Sequence, residues 1–200
     1  MMIRRRIATE QHQEIGTGRL EAFSDGVLAV LITITAFELR SPSGPGFHAL
    51  GQRLPEVLVY ILSFTFLGIY WNNHHHLLRA ATRINAAVMW SNLFLLFWLS
   101  LIPVLTEWVA RYYRSSWPAA SYGIVALASA IAFTALMRAI IRADVPNSLV
   151  ARAIGDDRKG KVSILLYAAG VGFAFVSPWI SYGCYALVSV IWFVPDRRLA

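Results

Sequence analysis

The chain has 200 residues, 57% of them hydrophobic and 14% charged, with a formal net charge of +7 and a mean hydropathy of +0.54. Ordinary soluble domains carry about 25% charged residues, so this balance excludes a soluble enzyme or carrier and predicts an all-α protein of the lipid bilayer. The positive charge is spread over many segments instead of gathered on one face, which argues against a nucleic-acid partner.

In chain order, residues 1–17 are polar and read as a loosely ordered tail. The first apolar segment, 19–39, is the least obvious span, because only residues 26–37 are free of charge. A signal peptide fits poorly there: no small-residue cleavage motif follows directly, and Asp25 and Glu38 interrupt or flank the apolar core. The loop 41–51 is rich in Gly, Pro and Ser, and Pro55 is well placed to begin a helix. Uncharged runs then cover 57–78, 84–106, 115–137 and 162–195. Each reaches the roughly 20 residues that cross about 30 Å of hydrocarbon. The last run is too long for one span, and Ser177-Pro178 with Ser181-Tyr182-Gly183 supplies a break. The result is six predicted spans, at about 19–39, 56–78, 84–106, 117–139, 162–177 and 180–194. The loop 143–161 carries Pro146-Asn147 and Gly155-Asp156-Asp157, with room for a short amphipathic helix.

Six spans place 14 of the 18 lysines and arginines on the side that holds both termini. The positive-inside rule then predicts a multi-pass protein of the cell membrane with cytoplasmic N- and C-termini. The single cysteine, Cys184, excludes an intramolecular disulfide and a cysteine metal cluster. A chain this small that encloses a pathway does so by oligomerising.

The polar residues within the spans carry the most information. A charge such as Asp25 inside a membrane helix costs about 2.5–3.5 kcal/mol on insertion scales. Glu21 lies one turn away and repels it. Arg19, six residues back, stands about 240° round the helix and cannot pair within it. Partners must therefore come from other helices, and the second span ends in Trp71, Asn72, Asn73, His74, His75 and His76 on the same predicted side. Some of these residues are expected to latch Ser24 and Asp25. Consecutive histidines point about 100° apart, which disfavours a three-histidine metal site, and no structural metal site is expected. On the first helix, Gly18, Ala22, Gly26, Ala29 and Thr33 form a small-residue stripe suited to close helix approach. Val30, Ile34 and Phe37 form an apolar stripe that reads as lying elsewhere on the cylinder.

The run Arg19-Leu-Glu-Ala-Phe23-Ser24-Asp25, with Thr33 eight residues past the aspartate, resembles the signature of the bacterial relatives of transmembrane protein 175. That family comprises potassium-permeable cation channels known in animal lysosomes and endosomes. The resemblance implies a homotetramer with the first helix of each subunit lining a central pore. It implies a constricting apolar ring at Val30, further rings at Ile34 and Phe37, and Thr33 as a polar neighbour affecting selectivity. Valine is smaller than the residue usual at that ring and Phe37 is bulky, which moves the expected narrowest point outward. By the same analogy the Phe-Ser-Asp residues pack between helices or subunits and do not coordinate ions. Glu38 at the outer end would form a fourfold acidic ring that concentrates cations.

The function expected is a passive potassium leak with modest preference over sodium, because no carbonyl-lined Thr-Val-Gly-Tyr-Gly filter is present. The partners expected are a second, third and fourth copy of the chain, potassium ions and the bilayer. No cofactor is expected. A proton-coupled secondary transporter using Asp25 and the histidines is the first rival, although neither broken midplane helices nor repeat halves are visible. A non-conducting scaffold is a further rival. An enzyme is not expected, since no nucleophile–base pair or metal constellation stands at usable spacing.

Overall fold

The computed structural model describes residues 2–144 and 157–193, with side chains from Thr17 onward. The described residues form helices joined by loops and turns: α1 (Met2–Phe37), α2 (Phe47–Gln52), α3 (Leu54–Ala80), α4 (Ala86–Ser100), α5 (Ile102–Arg111), α6 (Ser116–Ala143), α7 (Arg158–Phe173) and α8 (Pro178–Phe193). Among the described residues, four stretches are long and apolar enough to cross a membrane: Thr17–Phe37, Leu54–Ala80, Ala86–Arg111 and Ser116–Ala143. The fold is therefore that of an all-helical protein with four candidate spans, followed by two shorter helices of 16 residues each.

Several departures from expectation have local causes. α1 begins at Met2, so the backbone is already helical through the segment read as a loose tail. The run 84–106 is not one helix. It breaks at Leu101, where the Leu101 amide bonds to Trp98 O at 3.3 Å, a tightened turn, and Pro103 stands at the start of α5 without an amide to donate. A further helix, α2, occupies part of the Gly/Pro/Ser-rich loop. The fold-back after α7 is where Ser177-Pro178 predicts it, and α8 starts on the proline. The helix considered for 143–161 lies mostly in residues outside those described, as do the last residue of the sixth predicted span and the C-terminal arginines.

α6 is the hub, packed against α4, α5, α7 and α8. Its sequence explains this: Ala119, Ala120, Gly123, Ala126, Ser129, Ala130 and Ala132 are all buried, and small side chains let helix backbones approach closely. The closest approach is at Tyr185 of α8. A Cβ added at Gly123 would lie 2.0 Å from Tyr185 Oη, and one at Gly170 of α7 would lie 2.4 Å from the same ring. The phenol thus sits in a slot between two glycines, donating to Ala119 O at 3.1 Å. A second tie crosses the bundle: Thr106 of α5 donates to Ser63 Oγ of α3 at 2.7 Å, and Ser63 meets Tyr122 Oη of α6 at 3.1 Å. Asp144 at the end of α6 accepts from the backbone amide and hydroxyl of Thr82, at 3.0 and 2.7 Å, pinning the α3–α4 turn.

α1 leans on α3, α4 and α5 by one face only. Ser24, Leu28, Leu31 and Thr35 are buried, at the spacings of a single helical stripe. The opposite face packs against no helix among the described residues.

Candidate functional site: the two faces of the first helix

The buried face of α1 carries a polar chain across three helices. Ser24 donates to Leu20 O at 2.8 Å, one turn back on its own helix, and its hydroxyl accepts from Asn92 Nδ2 of α4 at 2.9 Å. The Asn92 Oδ1 meets His74 Nε2 of α3 at 2.6 Å. Ser24, His74 and Asn92 are all fully buried. Burial in a bundle leaves such groups no solvent to bond, so each must find a neighbour. Ser24 is therefore held through α4, and by none of residues 71–76 directly.

Asp25 and Glu21 lie nearer the edge of the same side. Trp71 donates its indole N–H to Asp25 Oδ1 at 3.0 Å. His75 Nδ1 lies 2.8 Å from Glu21 Oε1, and its ring stacks against Trp71 at 6.1 Å between centroids. The three histidines diverge as helical geometry requires. His74 turns to Asn92, His75 to Glu21, and His76 packs edge-on against the His75 ring at 5.7 Å. Asn73 donates to Ile69 O within its own helix, and Asn72 is half-buried. Neither is hydrogen-bonded to Ser24 or Asp25.

Arg19 stands apart from this network. It is exposed, and at about 100° per residue it falls on the opposite face of α1, in line with Phe37. That face also carries exposed Phe23, Val30, Ile34 and Phe37, the last 86% exposed, together with exposed Gly18, Ala22, Gly26, Ala29 and Thr33. The small-residue stripe and the apolar stripe, read from the sequence as separate, are one surface. Gly26, Thr33 and Phe37 lie within about 40° of one another and Val30 borders them. Thr33 donates its hydroxyl to Val30 O at 2.8 Å, which leaves the oxygen free to accept a hydrogen bond. Glu38, at the end of this face, is half-buried.

Two features escaped the sequence reading. Asn92 is a lone amide in an apolar run, and a polar side chain at that depth is itself a signal that a partner helix must answer it. The other is a convergence of metal-capable atoms: Glu21, Asp25 and His75 each offer a ligand atom, all within 4.8 Å of one another. It spans two helices, so no spacing within one segment reveals it.

An all-helical chain with four stretches long and apolar enough to cross a membrane among its described residues defines a class, the multi-pass membrane proteins. The family model for the endosomal/lysosomal potassium channel TMEM175 matches residues 19–103. A potassium channel of Chryseobacterium sp. (strain P1-3) is 48% identical over 182 residues, 91% of this chain and 95% of that protein. A potassium channel of Streptomyces collinus is 34% identical over 205 residues, 92% of this chain and 97% of that one. The crystal structure of a lysosomal potassium-selective channel TMEM175 homologue from Chamaesiphon minutus superposes with a TM-score of 0.78 at 26% identity, covering 91% of this chain and 98% of its own. The chain belongs to the TMEM175 family.

Proposed function

We propose that the chain is a potassium-permeable channel, conducting passively, in which four copies assemble with α1 of each around a common axis. The observation that carries this reading is the outward face of α1. A surface meant for lipid tails is uniformly apolar, whereas this one mixes exposed Arg19, Thr33 and a run of glycine and alanine with Val30, Ile34 and Phe37. Small residues favour close helix approach, and a polar rung between apolar ones suits a water-filled path that can be pinched shut. In this arrangement Val30, Ile34 and Phe37 form successive apolar rings, which bar ions by dewetting when narrow and pass partly hydrated cations when wide. Thr33 offers a ring of oxygen between them, and Glu38 concentrates cations at the outer mouth.

With six spans, as read from the sequence, the Trp71–His76 end of α3 and the Asp25 end of α1 lie on the cytoplasmic side of the cell membrane with both termini, a reading supported by the positive-inside distribution of lysine and arginine. α7 and α8, each about 24 Å long, serve as the fifth and sixth spans, tilted little and backed by α6. The clasp around Ser24, Asp25, His74, His75 and Asn92 then holds the buried side of α1, so that its other side meets the axis.

The test is purified protein in liposomes with a potassium gradient. Electrogenic flux that persists without a proton gradient, with reversal potentials favouring potassium modestly over sodium, supports the proposal. Saturable flux that requires protons favours a coupled transporter, and no flux favours a scaffold.

A further inference from the structure

The end of α1 beside α3 presents a chemistry that conduction does not use. Glu21 and Asp25 stand one helical turn apart on one side of α1, two carboxylates that repel each other, and the described ion pairs join neither to a lysine or arginine. Opposite them is the imidazole of His75. Its Nδ1 is 2.8 Å from Glu21 Oε1, yet this buried atom makes no hydrogen bond. The carboxylate oxygen lies off the ring's N–H axis, so the close approach is not the directed contact of a donor with its acceptor. One ligand atom from each of the three residues lies within 4.8 Å of the others. Tetrahedral bonds of about 2.1 Å place ligand atoms about 3.4 Å apart, so rotation of the carboxylates closes the site without moving a helix. Trp71 already fixes one oxygen of Asp25, at 3.0 Å, and leaves the other to turn toward His75. That is the role an outer hydrogen-bond donor plays for a ligating carboxylate.

From this geometry we infer that Glu21, Asp25 and His75 bind a divalent first-row transition-metal ion, of the Zn2+, Co2+ or Mn2+ kind, that ties α1 to α3. The donor set selects the class. One imidazole with two carboxylates suits these ions, whereas Ca2+ and Mg2+ take oxygen-only shells and no thiolate is offered to softer ions. Two negative charges against one divalent cation also cancel locally, which answers the repulsion between Glu21 and Asp25. The spacing of the histidine triplet argues against a metal held by the triplet itself; this site uses one of its members with two acids from another helix. Water completes the shell from the side where His75 and Glu21 are partly exposed.

The experiment is titration of Co2+ into the purified full-length protein, followed by its visible absorption and by cobalt-edge X-ray absorption. Saturation at one Co2+ per chain at micromolar concentration, with a single imidazole and otherwise oxygen in the shell, is expected. Glu21→Gln and His75→Gln abolish that saturation, Trp71→Phe weakens it by about tenfold or more, and His48→Gln leaves it unchanged. Absence of saturable binding to the unaltered protein overturns the inference, as do two or more imidazoles in the shell or undiminished affinity in Glu21→Gln. Should the substituted chains fail to assemble, stoichiometry and the edge spectrum of the unaltered protein still decide. Because binding is read without any ion flux, its failure is separable from failure of the channel reading.

Discussion

Replacing Asn92 by leucine tests whether the buried chain from α1 to α3 through α4 holds the first helix. Leucine keeps the heavy-atom count and branching of asparagine and propagates a helix well, so the change removes the amide's hydrogen bonding while adding some bulk. It removes the 2.6 Å contact with His74 and the 2.9 Å donation to Ser24, both fully buried. Interhelical hydrogen bonds in membrane proteins average about 0.6 kcal/mol and reach about 1.7. Two of them at short distance, with His74 Nδ1 already lacking a partner, make the loss about 2–3 kcal/mol. His74→Leu alone strands the Asn92 oxygen and costs about 1–2 kcal/mol. The double variant orphans less than the two changes taken separately, so its loss falls short of their sum by about 1–2 kcal/mol. Reversible unfolding in mixed micelles, with SDS as denaturant, measures all three. Additivity within about 0.5 kcal/mol refutes the claim that His74 and Asn92 act as one unit.

Gly123→Ala drives a methyl into Tyr185 and lowers thermal stability by about 1–3 kcal/mol; Tyr185→Phe in the same chain recovers part of that loss, because the nearest atom to the new methyl is the hydroxyl at 2.0 Å. Asp144→Ala frees the α3–α4 turn of two bonds and costs more, in the same melt, than Thr82→Val, which removes the hydroxyl bond and keeps the amide bond to Asp144. Glu38→Gln lowers single-channel conductance at low salt and converges on the unaltered channel at high salt, where exposed charge is screened within about 3–10 Å; equal conductance throughout contradicts an acidic outer ring.

Span boundaries were legible where the sequence punctuates itself. Ser177-Pro178 ends one apolar helix and starts the next, and the long uncharged runs of α3 and α6 need no further signal. Pro103 is also punctuation, but it lies within a run long enough to cross a bilayer unbroken, and length masked the break at Leu101. On α1, position within the helix was readable and its surroundings were not. Periodicity showed which residues share a side, while the grouping of Gly26 with Phe37 depended on angles only about 20° apart. The need for a partner at Asp25 followed from burial cost, and Trp71 supplies it. That Ser24 answers to Asn92, and that His75 faces Glu21, depends on how α3 and α4 pack beside α1, a tertiary fact that no local pattern encodes.

The most direct measurement places single cysteines at 30, 34 and 37 in a Cys184→Ser chain and exposes each to a membrane-impermeant thiol reagent during potassium flux. A pore along the outward face of α1 predicts reaction at these positions with block of the flux, and none at 28 or 31 on the buried face. Cysteines at 30, 34 and 37 that resist the aqueous reagent but are labelled from the lipid would contradict it.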